Sequence, residues 1–337
     1  MGFAVLSKFE KIKSVLRGEV LDEIPVSLWR HFPGDDLKAD SLYEKHINLQ
    51  KRFNFDLVKF SAGGGYNTIA FGGEVEYVGA IDGSTRTKRY VINSMKDWEA
   101  LEVLDVQKGI FGEMLKAVKL FAKGLKGEVP FVETMFSPLT ICRQIAGDRV
   151  VSDLRMKPEI LHRALGVISK TEVEFAKAAL DSGASGIFFA TQMATYNMLS
   201  EEEYRSFGMK YDLPVLKAIE AKAFFNILHV HGFNTMFNLL IENYPVSGVN
   251  WHVHRTEPTL KEAFGNFKGV LLGGVNEVET MAKGSTKDVE KEVAGSISET
   301  GGRRIIVAPG CVVPLIVPED KWDAVIRASR TYKKKTS

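Results

Sequence analysis

The chain has 337 residues, of which 45% are hydrophobic and 26% are charged, and its formal net charge at pH 7 is +2. This composition is typical of a globular protein with enough apolar material for a core. The small net charge gives no electrostatic reason to expect binding to nucleic acid or to an anionic membrane. Two cysteines argue against a disulfide scaffold, and no apolar run approaches the ~20 residues of a membrane span. We therefore expect a cytoplasmic location.

Eight short apolar segments, each bounded by turn-forming residues, predict buried strands. They cover residues 24–29, 55–60, 129–134, 185–189, 223–229, 246–251, 269–274 and 304–308. Helical patterns cover about 2–17, 38–53, 98–123, 138–145 and 158–181, continue from residue 200, and return at 318–330. Since strands and helices alternate along the chain, we predict an α/β fold, a single (β/α)₈ TIM barrel over residues 1–337. An open doubly wound sheet is the alternative.

Three features depart from a plain barrel. The N-terminal helix precedes the first strand, and residues 331–337 are predicted to be a frayed basic tail. Asp82-Gly83 lies between two β-forming segments, which predicts a β-hairpin insertion over about 74–92, after the second strand. No glycine-rich nucleotide motif follows the first strand, so nucleotide binding has no support.

Polar residues that follow the predicted strands are candidates for an active site, because barrel enzymes place their sites at the carboxyl ends of the strands. Five of the seven histidines lie within three residues after a predicted strand end: His31, His229, His231, His252 and His254. Arg30, Lys59, Glu133, Gln192 and Trp251 also lie at strand ends. This clustering predicts a polar site at one end of the barrel.

His229 and His231 are separated by one residue at the end of the fifth strand, so their side chains should point to the same side. Cys311 follows the eighth strand. Two imidazoles and a thiolate are the ligand number of a catalytic zinc, which keeps a fourth position open. The alternative is a metal-free polar pocket, in which the same histidines bind an anionic substrate.

Five segments in the predicted order carry a family resemblance: Ile24 to Arg30, Phe136 to Thr140, Gly248 to Trp251, Leu272 to Asn276, and Ala308 to Pro314. With these segments the chain resembles the uroporphyrinogen decarboxylase superfamily, which includes cobalamin-dependent methyltransferases. The resemblance covers nearly the whole chain and implies the same (β/α)₈ barrel.

The decarboxylases of the superfamily match this chain at Arg30, which corresponds to an arginine that binds substrate carboxylates. Other decarboxylase positions differ. A second arginine is replaced by Gly34, the catalytic aspartate falls near Gly63, an active-site tyrosine is replaced by Gln144, and a histidine is replaced by Cys311. The resemblance therefore makes true uroporphyrinogen decarboxylase activity a poor match.

The corrinoid methyltransferases of the superfamily hold zinc through His-x-Cys after the fifth strand and Cys after the eighth. His229 and Cys311 match this pattern, whereas His231 replaces the middle cysteine. With one thiolate in place of two, a bound zinc keeps a net positive charge. That charge should make zinc a stronger Lewis acid and a bound thiolate less electron-rich.

The resemblance favours a zinc-dependent methyltransferase that moves a methyl group between a corrinoid on a partner protein and a thiol or similar acceptor. Zinc ligands are predicted to be His229, His231 and Cys311. Substrate contacts are predicted for Arg30, His31, Lys59, Glu133, Gln192, Trp251, His252 and His254. Two alternatives are a lyase acting on a tetrapyrrole or another carboxylated molecule, and a corrinoid- or tetrapyrrole-binding protein without catalysis. A corrinoid protein and a second copy in a homodimer are the candidate partners.

Overall fold

A parallel β-barrel forms the centre of the molecule, in a computed structural model that describes residues 6–332. The strands are β1 Val58–Phe60, β2 Glu74–Tyr77, β3 Thr85–Arg89, β4 Phe131–Phe136, β5 Gly186–Thr191, β6 Ile227–Val230, β7 Gly248–Trp251, β8 Val270–Val275 and β9 Ile305–Pro309. Seven of them form a parallel sheet in the order β1, β4, β5, β6, β7, β8, β9. The sequence order of these neighbours is that of a barrel built from successive βα units.

The segment 24–29, predicted as the first strand, closes this sheet. Val26 forms a parallel bridge with Val307 of β9, and the Ser27 N–H donates to the Val307 carbonyl at 2.9 Å. On the other side, the Asp56 N–H donates to the Val26 carbonyl at 3.0 Å, just ahead of β1. The segment is the eighth strand position, and the predicted (β/α)₈ barrel is confirmed.

Helices surround the barrel. Their bounds are α1 Lys8–Leu16, α2 Ala39–Phe53, α3 Tyr66–Ala70, α4 Met95–Glu99, α5 Gly109–Leu125, α6 Pro138–Ala146, α7 Arg149–Met156, α8 Pro158–Asp181, α9 Glu201–Tyr204, α10 Lys210–Ile219, α11 Phe237–Asn243, α12 Leu260–Asn266, α13 Thr280–Lys283, α14 Thr286–Glu299 and α15 Glu319–Thr331. A π-helical turn at Arg205–Met209 joins α9 to α10. Among residues 6–332, no helix is both long and apolar enough to cross a bilayer.

Two predicted helices have different bounds in the structure. The helix predicted over 98–123 is wrong as one element, because α4 and α5 are separated by residues 100–108. Gly109 at the start of α5 has φ +56°, a left-handed conformation that a continuous right-handed helix does not allow. The N-terminal helix, predicted over about 2–17, begins at Lys8 and ends at Leu16 in the structure. Ser7 caps it by accepting the Glu10 N–H at 3.2 Å. The parts of the predictions that fall on residues 2–5 and 333–337 lie outside the described residues.

The barrel interior is apolar at one end and polar at the other. Three strand segments carry an apolar interior residue followed two positions later by a polar one: Leu57 and Lys59, Val132 and Thr134, Ile227 and His229. Because side chains alternate between the two faces of a strand, each such pair shares the inner face. Ile12 and Val15 of α1 belong to the interior apolar cluster. The polar end is therefore the carboxyl end of the strands.

The predicted hairpin is confirmed and lies across part of the polar end. Strands β2 and β3 pair antiparallel, with residues 78–84 between them. A Cβ on Gly65 would lie 2.6 Å from Val75 Cγ1 in β2, so only glycine allows this close packing. The Thr87 hydroxyl donates to the Gln144 carbonyl at 3.0 Å. The hairpin is thus fixed both to the loop after β1 and to α6.

Glu172 in α8 is fully buried, and neither of its carboxylate oxygens has a hydrogen-bond partner among the described residues. Burial raises the pKa of Glu172 well above the ordinary value of 4.5. The folded state therefore keeps a proton at pH values where the unfolded state has lost it. This contribution to stability is fully present below pH 4.5 and decreases as the pH rises toward the folded-state pKa.

We expect the free energy of unfolding to fall less between about pH 5 and pH 8 in Glu172→Gln than in the wild type. The difference is up to about 1.4 kcal/mol for each pH unit over which the folded and unfolded states of the wild type differ by one bound proton. Urea denaturation at both pH values measures the effect. Glu174→Gln on the same helix, where the carboxylate is exposed, is the control and should leave the pH dependence unchanged. An equal pH slope in wild type and Glu172→Gln would contradict the prediction.

Candidate metal centre and substrate cavity

Four potential metal ligands converge at the carboxyl end of the barrel. His229 lies in β6, His231 directly after it, His252 directly after β7, and Cys311 two residues after the end of β9. The Nδ1 atom of His231 is 3.3 Å from His229 Nε2, 3.3 Å from His252 Nε2 and 3.9 Å from Cys311 Sγ. All four donor atoms lie within 4.8 Å of one another. We call these four residues the donor cluster.

Three of the six donor separations in the cluster are close to those of a tetrahedral zinc site, and the others lie within 4.8 Å. With Zn–N distances of about 2.0–2.1 Å and a Zn–S distance of about 2.3 Å, tetrahedral geometry separates two nitrogens by about 3.3 Å and nitrogen from sulfur by about 3.6 Å. The separations from His231 Nδ1 are close to these values. The three predicted ligands lie together, and His252, predicted as a substrate contact, lies among them as a fourth donor.

Asn250 fixes which nitrogen of His229 faces the donor cluster. The Asn250 amide nitrogen donates to the carbonyls of Leu272 and Pro309, both at 2.9 Å. Its Oδ1 is therefore the atom that lies 2.6 Å from His229 Nδ1, and an oxygen can only accept. Nδ1 carries the proton, so Nε2 presents a lone pair to the cluster. A ligand histidine held by its other nitrogen is typical of metal sites.

Glu277, which follows β8, lies behind His252 at a longer distance, without a hydrogen bond to the ring. Its Oε1 is 3.6 Å from His252 Nδ1, and its Oε2 accepts the Gly310 N–H at 3.0 Å. Although burial opposes it, these contacts hold the pKa of Glu277 below its ordinary value. A carboxylate behind a histidine ligand orients the ring and raises its basicity.

The His229 and His231 imidazoles of the donor cluster are neutral, so they present lone pairs rather than positive charge. Burial and neighbouring His252 lower the pKa of His231 to about 4, and burial with His231 lowers the pKa of His229 well below its usual value. Both rings are neutral at pH 7. Burial raises the pKa of the Cys311 thiol to about 11. Neutral imidazoles with converging donor atoms attract a metal ion and give an anion no charge to bind.

A cavity of about 310 Å³ lies beside the donor cluster, which contributes His229, His231 and Cys311 to its wall. Apolar walls come from Trp29, Phe136 and Phe188. Polar side chains complete the lining: His31, Lys59, Thr68, Asp82, Ser84, Thr85, Thr87, Thr134, Gln144 and Gln192. This volume is at the lower end of the range of about 300–1,000 Å³ found for small-molecule sites.

Lys59 lies deep in this cavity. Its ammonium donates to the Ser61 hydroxyl at 2.5 Å and lies over the rings of Phe188 at 4.7 Å and Trp29 at 5.6 Å. Burial lowers the pKa of Lys59 to about 8, so the ammonium is still mainly charged at pH 7. A charged group with one hydrogen bond to protein has donors left for an anionic group of a ligand.

Three of the predicted substrate contacts, His31, Lys59 and Gln192, line the cavity. Arg30 does not, because its guanidinium donates to the Leu315 carbonyl at 2.9 Å. Glu133 precedes Thr134, whose side chain faces the cavity, so the Glu133 side chain lies on the opposite face of the strand. It is buried, and neither of its oxygens has a hydrogen-bond partner among the described residues. Burial raises the pKa of Glu133 well above its ordinary value.

Trp251 and His254 also lie away from the cavity. The Trp251 indole donates to the Pro258 carbonyl at 2.8 Å and packs against Phe237. His254 lies 3.3 Å from the Ser296 hydroxyl and 3.9 Å from a Glu292 oxygen. The structure gives both residues packing roles, and their substrate contacts stay predictions.

Three residues of this region were missed as site residues in the sequence: Asn250, Glu277 and Asp82. Asn250 is a polar residue inside the apolar sixth predicted strand, a signal that could have marked it as a site residue. Glu277 follows a strand end and could have been found by the same rule that found the histidines. Asp82 was assigned only to a turn, and no local signal places that turn over the barrel.

The matched family model is described as uroporphyrinogen decarboxylase (URO-D) and covers residues 7–332. The chain belongs to this family. This confirms the predicted resemblance, and the expectation of an enzyme from this superfamily agrees with the relatives described next.

One relative is the methylcobamide:CoM methyltransferase MtbA of Methanosarcina acetivorans, 24% identical over 73% of this chain and 71% of its own length. Another is the uroporphyrinogen decarboxylase of Nocardia farcinica, 24% identical over 60% of each chain. A methyltransferase structure from Methanosarcina mazei superposes with a TM-score of 0.84 at 17% identity, covering 96% of this chain and 98% of that one. This likeness shows the same barrel fold.

We expect Glu277→Gln to weaken zinc binding by about 10–100-fold, because the neutral amide no longer supplies a negative charge behind the His252 ring. Competition with a chromophoric chelator measures the affinity. Glu279→Gln, an exposed carboxylate two residues away, is the control and should bind zinc as the wild type does. Equal affinities in all three proteins would exclude a supporting role for Glu277.

Proposed function

We propose that this URO-D family member is a zinc-dependent methyltransferase that moves a methyl group between a corrinoid on a partner protein and a small thiol. The main support is the donor cluster, in which three imidazoles and one thiol converge beside a small cavity. Asn250 and Glu277 orient two of the imidazoles from behind. Such a site is built to hold a metal ion next to a bound small molecule.

Zinc would be held by His229, His231 and Cys311, with His252 as a fourth donor. Zinc lowers the pKa of a bound thiol, and so supplies a thiolate nucleophile at neutral pH. Three neutral imidazoles and one thiolate leave the ion with a net charge of about +1. If all four donors bind, a substrate sulfur needs either a fifth coordination position or the release of one donor.

The cavity suits a small acceptor inside the barrel and a larger methyl donor outside it. Exposed apolar side chains lie in loops after the strands, at the carboxyl end of the barrel. Phe233, Tyr196, Ile81 and Ile316 are 48%, 49%, 59% and 63% exposed. Phe233 also stacks on His252, with ring centroids 6.1 Å apart. An apolar rim is a common feature of protein docking surfaces, so we assign it to a corrinoid-bearing protein.

Two of the methyltransferase relatives support the same reaction. Their names state methyl transfer from a methylcobamide to CoM and from methylated thiols to coenzyme M. We carry over to this chain the class of reaction, corrinoid and thiol, and not the identity of the thiol. The cytoplasmic location and the homodimer stay predictions.

A decarboxylase acting on a carboxylated tetrapyrrole has weaker support. Such a substrate needs anchors for several carboxylates. Histidines aside, the described residues that line the cavity include one basic side chain, Lys59. Arg30, which matches the family's carboxylate-binding arginine, is turned to the Leu315 carbonyl. Binding without catalysis is the remaining alternative, and turnover measurements separate it from the proposal.

We expect protein purified without a histidine tag to contain about one zinc per chain, because the donor cluster has the number and type of ligands for one ion. Elemental analysis measures the content. His229→Ala and Cys311→Ala should each lose most of the metal, whereas Cys142→Ala, which removes the other cysteine far from the cluster, should keep it. A folded, metal-free wild-type protein that does not take up added zinc would refute the proposal.

Zinc binding should release about one proton per chain at about pH 7.5, because the Cys311 thiol must lose its proton while His229 and His231 are already neutral. Calorimetry in buffers of different ionisation enthalpy measures the released protons. Cys311→Ala should release close to none. The sign follows from the raised pKa of Cys311, so zinc affinity should increase as the pH rises through the neutral range.

Methyl transfer from methylcobalamin to a panel of thiols tests the reaction itself. We expect turnover in the zinc-loaded wild type and a loss of at least about 100-fold in Cys311→Ala, since metal activation of the thiol is lost. His231→Cys adds a second thiolate and should make the bound sulfur more electron-rich, so methyl transfer should be faster than in the wild type. Binding of corrinoid without any turnover would favour the non-catalytic alternative.

A further inference from the structure

The cavity carries one positive and one negative side chain that do not pair with each other. Lys59 donates to Ser61, whereas the Asp82 carboxylate accepts from the Ser84 N–H at 2.9 Å and the Ser84 hydroxyl at 2.7 Å. Leaving aside the donor cluster and His31, Lys59 and Asp82 are the side chains with a formal charge among the described residues that line the cavity. Fixed, unpaired opposite charges in one small cavity are a binding pattern for a ligand that has both charges.

Asp82 faces the cavity with part of its carboxylate free. Both hydrogen bonds from Ser84 go to Oδ1, which leaves Oδ2 for a ligand. Asp82 lines the same cavity as His31, His231 and Cys311. A ligand that fills this cavity can therefore contact both Asp82 and the donor cluster.

The turn that carries Asp82 is fixed to the barrel. A Cβ on Gly83 would lie 2.9 Å from His31 Cβ, and Gly83 has φ +80°, so a glycine is required at this contact. The Leu315 N–H donates to the Ile81 carbonyl at 2.7 Å, and Arg30 holds the Leu315 carbonyl. Asp82 is thus a preorganised part of the cavity wall, which reduces the cost of binding a charged group.

We infer that the acceptor is a small thiol with both an ammonium and an acidic group, the ammonium binding Asp82 and the acidic group binding Lys59. This inference rests on the proposed function and specifies its substrate class. A thiol with only an acidic group would leave the Asp82 carboxylate without a partner in a partly dehydrated cavity. Such an unpaired charge lowers affinity and gives selectivity against that ligand. The volume of about 310 Å³ suits a ligand of amino-acid size.

Four thioethers of similar length test the inference by equilibrium binding, without any need for turnover. Methionine carries both charges, 3-(methylthio)propylamine only the ammonium, 4-(methylthio)butanoate only the acid, and 3-(methylthio)propanol neither. We expect the zinc-loaded wild type to bind methionine at least about tenfold more tightly than each of the others, because both charges of methionine find a partner. Isothermal titration calorimetry measures the affinities.

Two substitutions assign the charges to their residues. Asp82→Asn should bind methionine and 4-(methylthio)butanoate within about twofold of each other, and Lys59→Met should do the same for methionine and 3-(methylthio)propylamine. Glu76→Gln, a hairpin carboxylate paired with Arg86 and absent from the cavity wall, is the control and should keep the wild-type preferences.

Wild-type protein that binds 4-(methylthio)butanoate as tightly as methionine would overturn the inference, whatever the variants do. The proposed function fails by a different result, namely no methyl transfer to any thiol of the panel, homocysteine, 4-mercaptobutanoate, 3-aminopropanethiol and 3-mercaptopropanol included. With turnover present, kcat/KM for homocysteine should exceed that for 4-mercaptobutanoate by about tenfold in the wild type, and this ratio should fall toward one in Asp82→Asn.

Discussion

The hydrogen bonds of the Asn250 side chain are the constraint on which the site depends. The amide of this one residue joins β7 to the backbone of β8 and β9, and its oxygen holds the His229 ring. Two neighbouring strands and the His229 ring of the donor cluster are therefore fixed by the same group. Since the amide is fully buried, each of its bonds is costly to lose. The position of the donor cluster is thus coupled to the register of the barrel itself.

Much of the fold and half of the candidate site followed from elementary rules. Strand ends identified the donor cluster and Lys59, because parallel strands bring their carboxyl ends to one place. The rule does not say which face a side chain takes, so Glu133 was grouped with residues that line the cavity although Thr134 faces it. His254 does not join His252 at the donor cluster, because the chain leaves the strand after Trp251 and strand alternation no longer applies beyond it.

The role of the hairpin could not be predicted, because it depends on contacts between segments far apart in the chain. Asp82-Gly83 is an ordinary turn signal, and its contact with His31 and with the loop after β9 arises only when the barrel has closed. The same holds for Arg30, whose bond to Leu315 joins residues 285 positions apart. Sequence patterns report local preference well and report such long-range contacts poorly.

The division of the cavity wall between barrel and hairpin has an evolutionary consequence. The donor cluster, Asn250 and Glu277 all come from the second half of the barrel, whereas Asp82, Ser84, Thr85 and Thr87 come from an insertion in the first half. Exchange or redesign of the insertion can therefore change the cavity wall while the donor cluster keeps its place. Under the proposed function, a lineage built on this barrel has a route to new methyl acceptors that does not pass through the loss of the donor cluster.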